Sequence, residues 1–147
     1  MKIKSELLNI ETETGIQIYN LTPKVQDWIE RVGLQNGQIT LFSRHTTTAL
    51  AINEYEERLL VDIKAYLNKL APENDRYLHN DLHLRVVPPD EPMNAHSHLM
   101  AMTLSTSEVI PVMDSKLALG TWQSLLFFEL DGPRQRTVLV QALGEFE

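Results

Sequence analysis

The chain has 147 residues, with 13 Lys and Arg against 20 Asp and Glu, and its formal net charge of −7 argues against a nucleic-acid partner, which needs a basic surface. With 43% hydrophobic and 22% charged residues it has ordinary globular composition, which excludes a disordered chain and predicts one domain over 1–147 with its own core. It has no cysteine, so disulfides, thiol nucleophiles and thiolate metal sites are excluded, and any metal must use His, Asp, Glu or backbone oxygen.

In chain order, Ile3 to Ile10 and Ile16 to Leu21 are β-leaning runs separated by Glu13-Thr14-Gly15, which predicts a β-hairpin. A helix follows. Thr22 is placed to cap it, Pro23 suits the first helical position, Val25, Trp28, Ile29 and Val32 make an apolar stripe, and Gly33 ends it. Asn36-Gly37 reads as a turn, and Gln38 to Ser43 as a strand running on into Arg44 to Thr48, where β-branched residues favour extended backbone. Asn53 to Glu56 reads as the start of a second helix carrying Leu59, Leu60, Ile63, Leu67 and Leu70. Residues Ala71 to Asn94 hold Pro72, Pro88, Pro89 and Pro92 and are expected as functional loops. Asn94 to Met102 suits a short helix, and Val109 to Met113, Lys116 to Leu119, Trp122 to Leu130 and Thr137 to Leu143 read as strands. Two main helices among about seven strands predict an α+β domain, either two antiparallel sheets or one curved sheet with helices on a face.

Five histidines, at 45, 79, 83, 96 and 98, are enough for a metal or acid–base site. His79 and His83 align on a helix or a strand, whereas His96 and His98 align only on a strand, so on a helix one of them points inward. Glu54, Asp62, Asp81, Glu129 and Asp131 are the acidic candidates. Glu129 lies in an apolar run, where a buried carboxylate needs a partner such as Arg134, Arg136 or a histidine. Arg44, Arg85, Arg134 and Arg136 lie beside these motifs, and Thr46, Thr47 and Thr48 with nearby amides suit an anion. There is neither a Gly-rich phosphate loop nor a GxSxG elbow.

Together, His45-Thr46-Thr47, Asn53-Glu54, Asp62, Tyr77 to Asp81, Asn94-Ala95, Ser97-His98-Leu99, Leu119 to Gln123, Glu129 and Asp131 to Arg136 resemble the YjbQ-like family, UPF0047, in family order over nearly the whole chain. Some members are described as secondary thiamine-phosphate synthases. The resemblance implies an α+β, two-sheet β-sandwich assembled as a homotrimer with sites near subunit contacts. The family's histidine positions fall on His45, His79 and His98, and not on His83 or His96. They are expected to hold a divalent metal, Zn or Mg, or the phosphate itself.

On that basis His45, Glu54 and Glu129 are the expected catalytic residues. Thr46, Thr47, Asp81, Asn94, Trp122, Gln123, Arg134 and Arg136 are expected to bind substrate. Trp122 reads first as a core aromatic on a strand and second as a stacking surface. Ser105 and Ser115 stand where the family usually has glycine, and a positive φ there would be costly for serine. The expected function is thiamine-phosphate synthesis, joining hydroxymethylpyrimidine pyrophosphate to thiazole phosphate. The alternatives are a non-enzymatic trimer binding a metal or small anion, and a metal-assisted hydrolase. A cytoplasmic protein without membrane contact is expected, because no segment approaches the roughly 18 apolar residues of a membrane span.

Overall fold

The computed structural model describes residues 1–147. Eight strands form two antiparallel sheets. The larger runs in the order β1 (Lys2–Glu11), β8 (Gln135–Phe146), β3 (Leu34–Ser43), β5 (Ser107–Met113), β6 (Lys116–Leu117). The smaller has β7 (Ser124–Gly132) between β2 (Gly15–Asn20) and β4 (Thr48–Asn53). Three helices accompany them: α1 (Thr22–Val32), α2 (Glu57–Leu70) and α3 (Ala95–Thr103).

Two cores explain the layering. Val25, Trp28 and Ile29 of α1 pack with inward residues of the large sheet, such as Ile39, Leu41 and Val140, and with Leu125 and Phe127 of β7. On the other face of the small sheet, Ala49, Leu126 and Phe128 meet Leu67 of α2 and Met100 of α3. Consecutive residues of β7 therefore face different cores, so its apolar run is continuous rather than alternating. Each such fully buried Leu or Phe contributes roughly 1.5–3 kcal/mol relative to exposure. No helix is long and apolar enough to cross a membrane.

The α+β class and the two-sheet arrangement agree with expectation, but several local features do not. β1 and β2 form no hairpin: β1 pairs with β8 and β2 with β7, so the segment around Thr12 crosses between sheets. Arg44 to Thr47 are likewise a turn between sheets, overriding the extended preference of their β-branched residues. Asn36-Gly37 lies within β3 at a bulge against β8, where an added Cβ at Gly37 would collide with the Leu143 carbonyl oxygen. The Thr22 hydroxyl accepts from the Leu125 amide and does not cap α1, while Gly33 ends that helix in the left-handed conformation as expected. α2 begins later than expected, with Glu56 as its cap accepting from the Leu59 amide at 2.5 Å. Trp122 precedes β7 in a turn and is 74% exposed, so it is not a core aromatic.

Ser105 avoids positive φ and bonds the backbone of Ser107. Ser115 does adopt it, at φ 61° beside Asp114 at 48°, in the two-residue turn between β5 and β6. That geometry favours Gly, Asn or Asp, so Ser115 is held against its preference. Its amide donates to the Gln35 carbonyl, and its carbonyl accepts from the Gln26 side chain.

Candidate functional site

Three connections cross between the sheets at one end of the molecule, and a buried ion pair ties them together. Glu129, with no exposed surface, receives Arg136 Nε and Nη2 at 2.8 and 2.7 Å. The Thr12 hydroxyl donates to it at 2.5 Å and the Asp131 amide at 3.0 Å. Arg136, 5% exposed, also donates to the Thr47 hydroxyl at 2.8 Å. Thr12 belongs to the β1–β2 crossover, Thr47 to the β3–β4 crossover, and Glu129 and Arg136 flank the β7–β8 crossover. Burial alone would push the Glu129 carboxyl up. Hydrogen bonds from Arg136, Thr12 and the Asp131 amide, with the Arg136 charge, outweigh it and hold the group below the usual carboxylate range.

His45 sits on this framework. The Thr137 amide, next to Arg136, donates to His45 Nε2 at 2.9 Å. A neutral imidazole has one donor and one acceptor nitrogen, so an Nε2 acceptor places the proton on Nδ1. Burial, followed by the charge of Arg136, lowers the His45 pKa below the ordinary histidine value. At neutral pH the ring is uncharged and offers an Nδ1–H.

His45, Thr46 and Thr48 share a cleft of about 350 Å³ with His98, Ala101 and Met102 of α3. His98 also borders an adjoining pocket with Tyr77, Leu78 and His79. The rings of His79 and His98 meet edge to face with centroids 4.8 Å apart, and His79 Nε2 is buried without a partner. Burial, and then repulsion from His79, lowers the His98 pKa as well. A short 3₁₀ turn at Leu78–Asn80 brings His79 there, fixed by the Asn80 side chain accepting from the Ala95 amide at 3.1 Å.

The three histidines expected as metal ligands thus lie in adjoining pockets, but no three His, Asp or Glu side chains converge in a metal-holding arrangement within the chain. The donor set also disagrees with a resident metal on His45. Its Nε2 lone pair is taken by Thr137, so coordination through Nδ1 would require loss of the remaining ring proton.

Other expected site residues are committed elsewhere. Asp81 pairs with Arg76 at 2.7 Å, and Asn94 and Arg134 both hold Asp131, at 2.7 and 3.0 Å. Arg136 and Glu129 satisfy one another, which makes them positioning groups. Gln123 closes its own turn by accepting from the Gly120 amide at 2.8 Å. Glu54 and Trp122 are far from His45: Thr48 lies opposite Glu129, whereas Asn53 lies opposite Ser124 at the other end of the strand pair. That is about 17 Å of extended chain. Arg44 precedes His45 in the same turn. It is exposed, outside every ion pair, and close enough for its charge to influence His45.

The model of the family described as UPF0047 protein YjbQ-like matches residues 6–145. A UPF0047 protein of Archaeoglobus fulgidus is 42% identical, over 92% of this chain and 98% of its own. One from Methanothermobacter thermautotrophicus is 38% identical, over 99% and 95%. Among solved structures, a hypothetical protein from Aeropyrum pernix superimposes with a TM-score of 0.87 at 39% identity, covering 97% of this chain and 99% of that one. A protein of unknown function from Sulfolobus solfataricus gives 0.86 at 33%, covering 98% and 99%. With matching motifs, fold and nearly complete coverage, the chain belongs to the YjbQ-like UPF0047 family.

Proposed function

We propose that the cleft between His45 and His98 binds a small phosphorylated molecule and, as in the reaction first expected from the motifs, promotes loss of pyrophosphate during thiamine-phosphate synthesis. The observation that carries this reading is an uncharged His45 whose ring is locked with Nδ1–H available, facing a cleft it shares with His98. In the reaction the C–O bond of the pyrimidine's pyrophosphate ester breaks and its electron pair leaves with the pyrophosphate. The thiazole nitrogen lone pair forms the new C–N bond. The need is for donors and cations where negative charge grows on the leaving oxygens. His45 Nδ1–H, the Thr46 hydroxyl and the free guanidinium of Arg44 supply that chemistry.

A non-catalytic anion-binding role is favoured by a different observation: the carboxylate nearest His45 that was expected to do chemistry, Glu129, is saturated by its own partners. Incubation with both precursors, the pyrophosphate as its magnesium salt, separates the readings. Thiamine phosphate and pyrophosphate formed in equal amounts are expected. Pyrophosphate or phosphate released without thiazole consumption would indicate a hydrolase, and no turnover despite binding would indicate the binding protein.

We further propose the trimeric assembly. Ile3, Leu7, Phe42, Val109, Met113 and Leu143 leave the outward face of the large sheet substantially apolar and exposed. Glu54, Trp122 and Gln123, at the far end of the small sheet, can reach a His45 cleft only from a neighbouring copy. Light scattering is expected to give three times the 16.8 kDa chain mass, and a mass of one chain would overturn the assembly.

A further inference from the structure

A second histidine cleft opens on the other side of α3. His96 is 8% exposed and borders a cavity of about 440 Å³, together with Lys64, Asn68, Glu73, Asp131 and the backbone around Gly15. The Ser97 hydroxyl donates to the Leu130 carbonyl at 2.5 Å, so toward His96 Nε2, at 3.5 Å, it can only accept. The 3.5 Å contact is too long to hold the ring, and Nδ1 is buried with no partner. The imidazole therefore walls the cavity without a strong bond of its own, and its resonances report on what the cavity holds.

The charged lining suggests what the cavity holds. Asp131 spends Oδ2 on Asn94 and Arg134, leaving Oδ1 for another donor. Glu73 and Lys64 border the same cavity and neither enters an ion pair. Carboxylate oxygens of Asp131 and Glu73 suit an ammonium, and Lys64 with the Asn68 amide suits a carboxylate. We infer that the cleft between α2 and the start of α3 binds a small zwitterion of the free amino-acid class, its ammonium at Asp131 and Glu73 and its carboxylate at Lys64. Its volume lies within the range of small-molecule sites. The inference does not depend on the chemistry proposed at His45.

The test records the imidazole resonances of the native full-length protein while free L-amino acids are added singly, up to about 10 mM to cover weak binding. At least one is expected to move the His96 resonance saturably while those of His45 and His98 stay in place. Its N-acetyl and carboxamide derivatives, lacking one charge each, are expected to bind about tenfold more weakly or worse, as is the Lys64→Met variant toward the free amino acid. No movement of His96 with any amino acid would overturn the proposal. So would equal binding of the capped derivatives, a comparison that needs no variant to fold.

Discussion

Arg136→Met is expected to destabilise the protein by about 3–5 kcal/mol, because it strands the Glu129 carboxylate in a site with no exposed surface. A typical domain has only about 5–15 kcal/mol in total, so chemical denaturation should show an early transition or little folded protein. Three sheet-crossing connections lose a common anchor at once, since Thr12 and Thr47 hydrogen-bond to this pair. The Glu129→Gln, Arg136→Met double variant removes the stranded charge and should recover part of the loss.

The pH dependence has a definite sign. In the native protein the Glu129 pKa is lowered, so its contribution is complete above the unfolded carboxylate value, about 4.3, and is lost as pH falls through the lower folded value. Without Arg136, burial dominates and raises that pKa, so the variant's deficit should shrink on acidification. A loss below about 1 kcal/mol at neutral pH, as expected of a surface pair, would contradict this account.

His45→Ala is expected to reduce kcat/KM for thiamine-phosphate formation by about 10²–10³-fold, the usual effect of removing one donor aimed at developing negative charge. Stability should change by only about 1 kcal/mol, because the variant leaves the Thr137 amide without its acceptor but removes no core packing. In the native protein, activity should hold through pH 7 and fall only at a pH below the ordinary histidine value of about 6.5. His45 has a lowered pKa, and protonation at Nε2 opposes the Thr137 N–H that fixes the ring. Equal product from the native protein and the variant would remove His45 from the chemistry.

Much of the fold was legible where one local signal decided the outcome. Pro23 and Gly33 bracket α1, its apolar stripe is the buried face, and the uninterrupted run Leu125 to Leu130 marks a strand buried on both sides. The misreadings share a cause. Thr14-Gly15 and Arg44 to Thr47 look like a hairpin turn and an extended run, yet both carry the chain between sheets, and pairing across more than 100 residues, such as Leu7 with Leu139, leaves no trace in nearby sequence. In the site, His45 and His98 were identifiable from the family motifs. The Glu129–Arg136 pair was legible in part: a carboxylate in that apolar run needs a partner and Arg136 is one of three candidates, but sequence does not show that the pair is closed and leaves neither charge for substrate. His96 was passed over for lacking a family counterpart, although the helix argument already required His96 and His98 to face different ways. They do, into separate cavities.

If the proposed site is real, His45 is a neutral, fixed Nδ1–H donor that meets phosphorylated ligands in the cleft it shares with His98. Long-range ¹H–¹⁵N correlation of the imidazoles at pH 7, before and after adding inorganic pyrophosphate, decides the matter. A His45 proton on Nδ1 with Nε2 unprotonated is expected, with saturable shifts of His45 and His98 but not of exposed His83. A proton on Nε2, or His45 and His98 resonances indifferent to pyrophosphate, would contradict the proposed site.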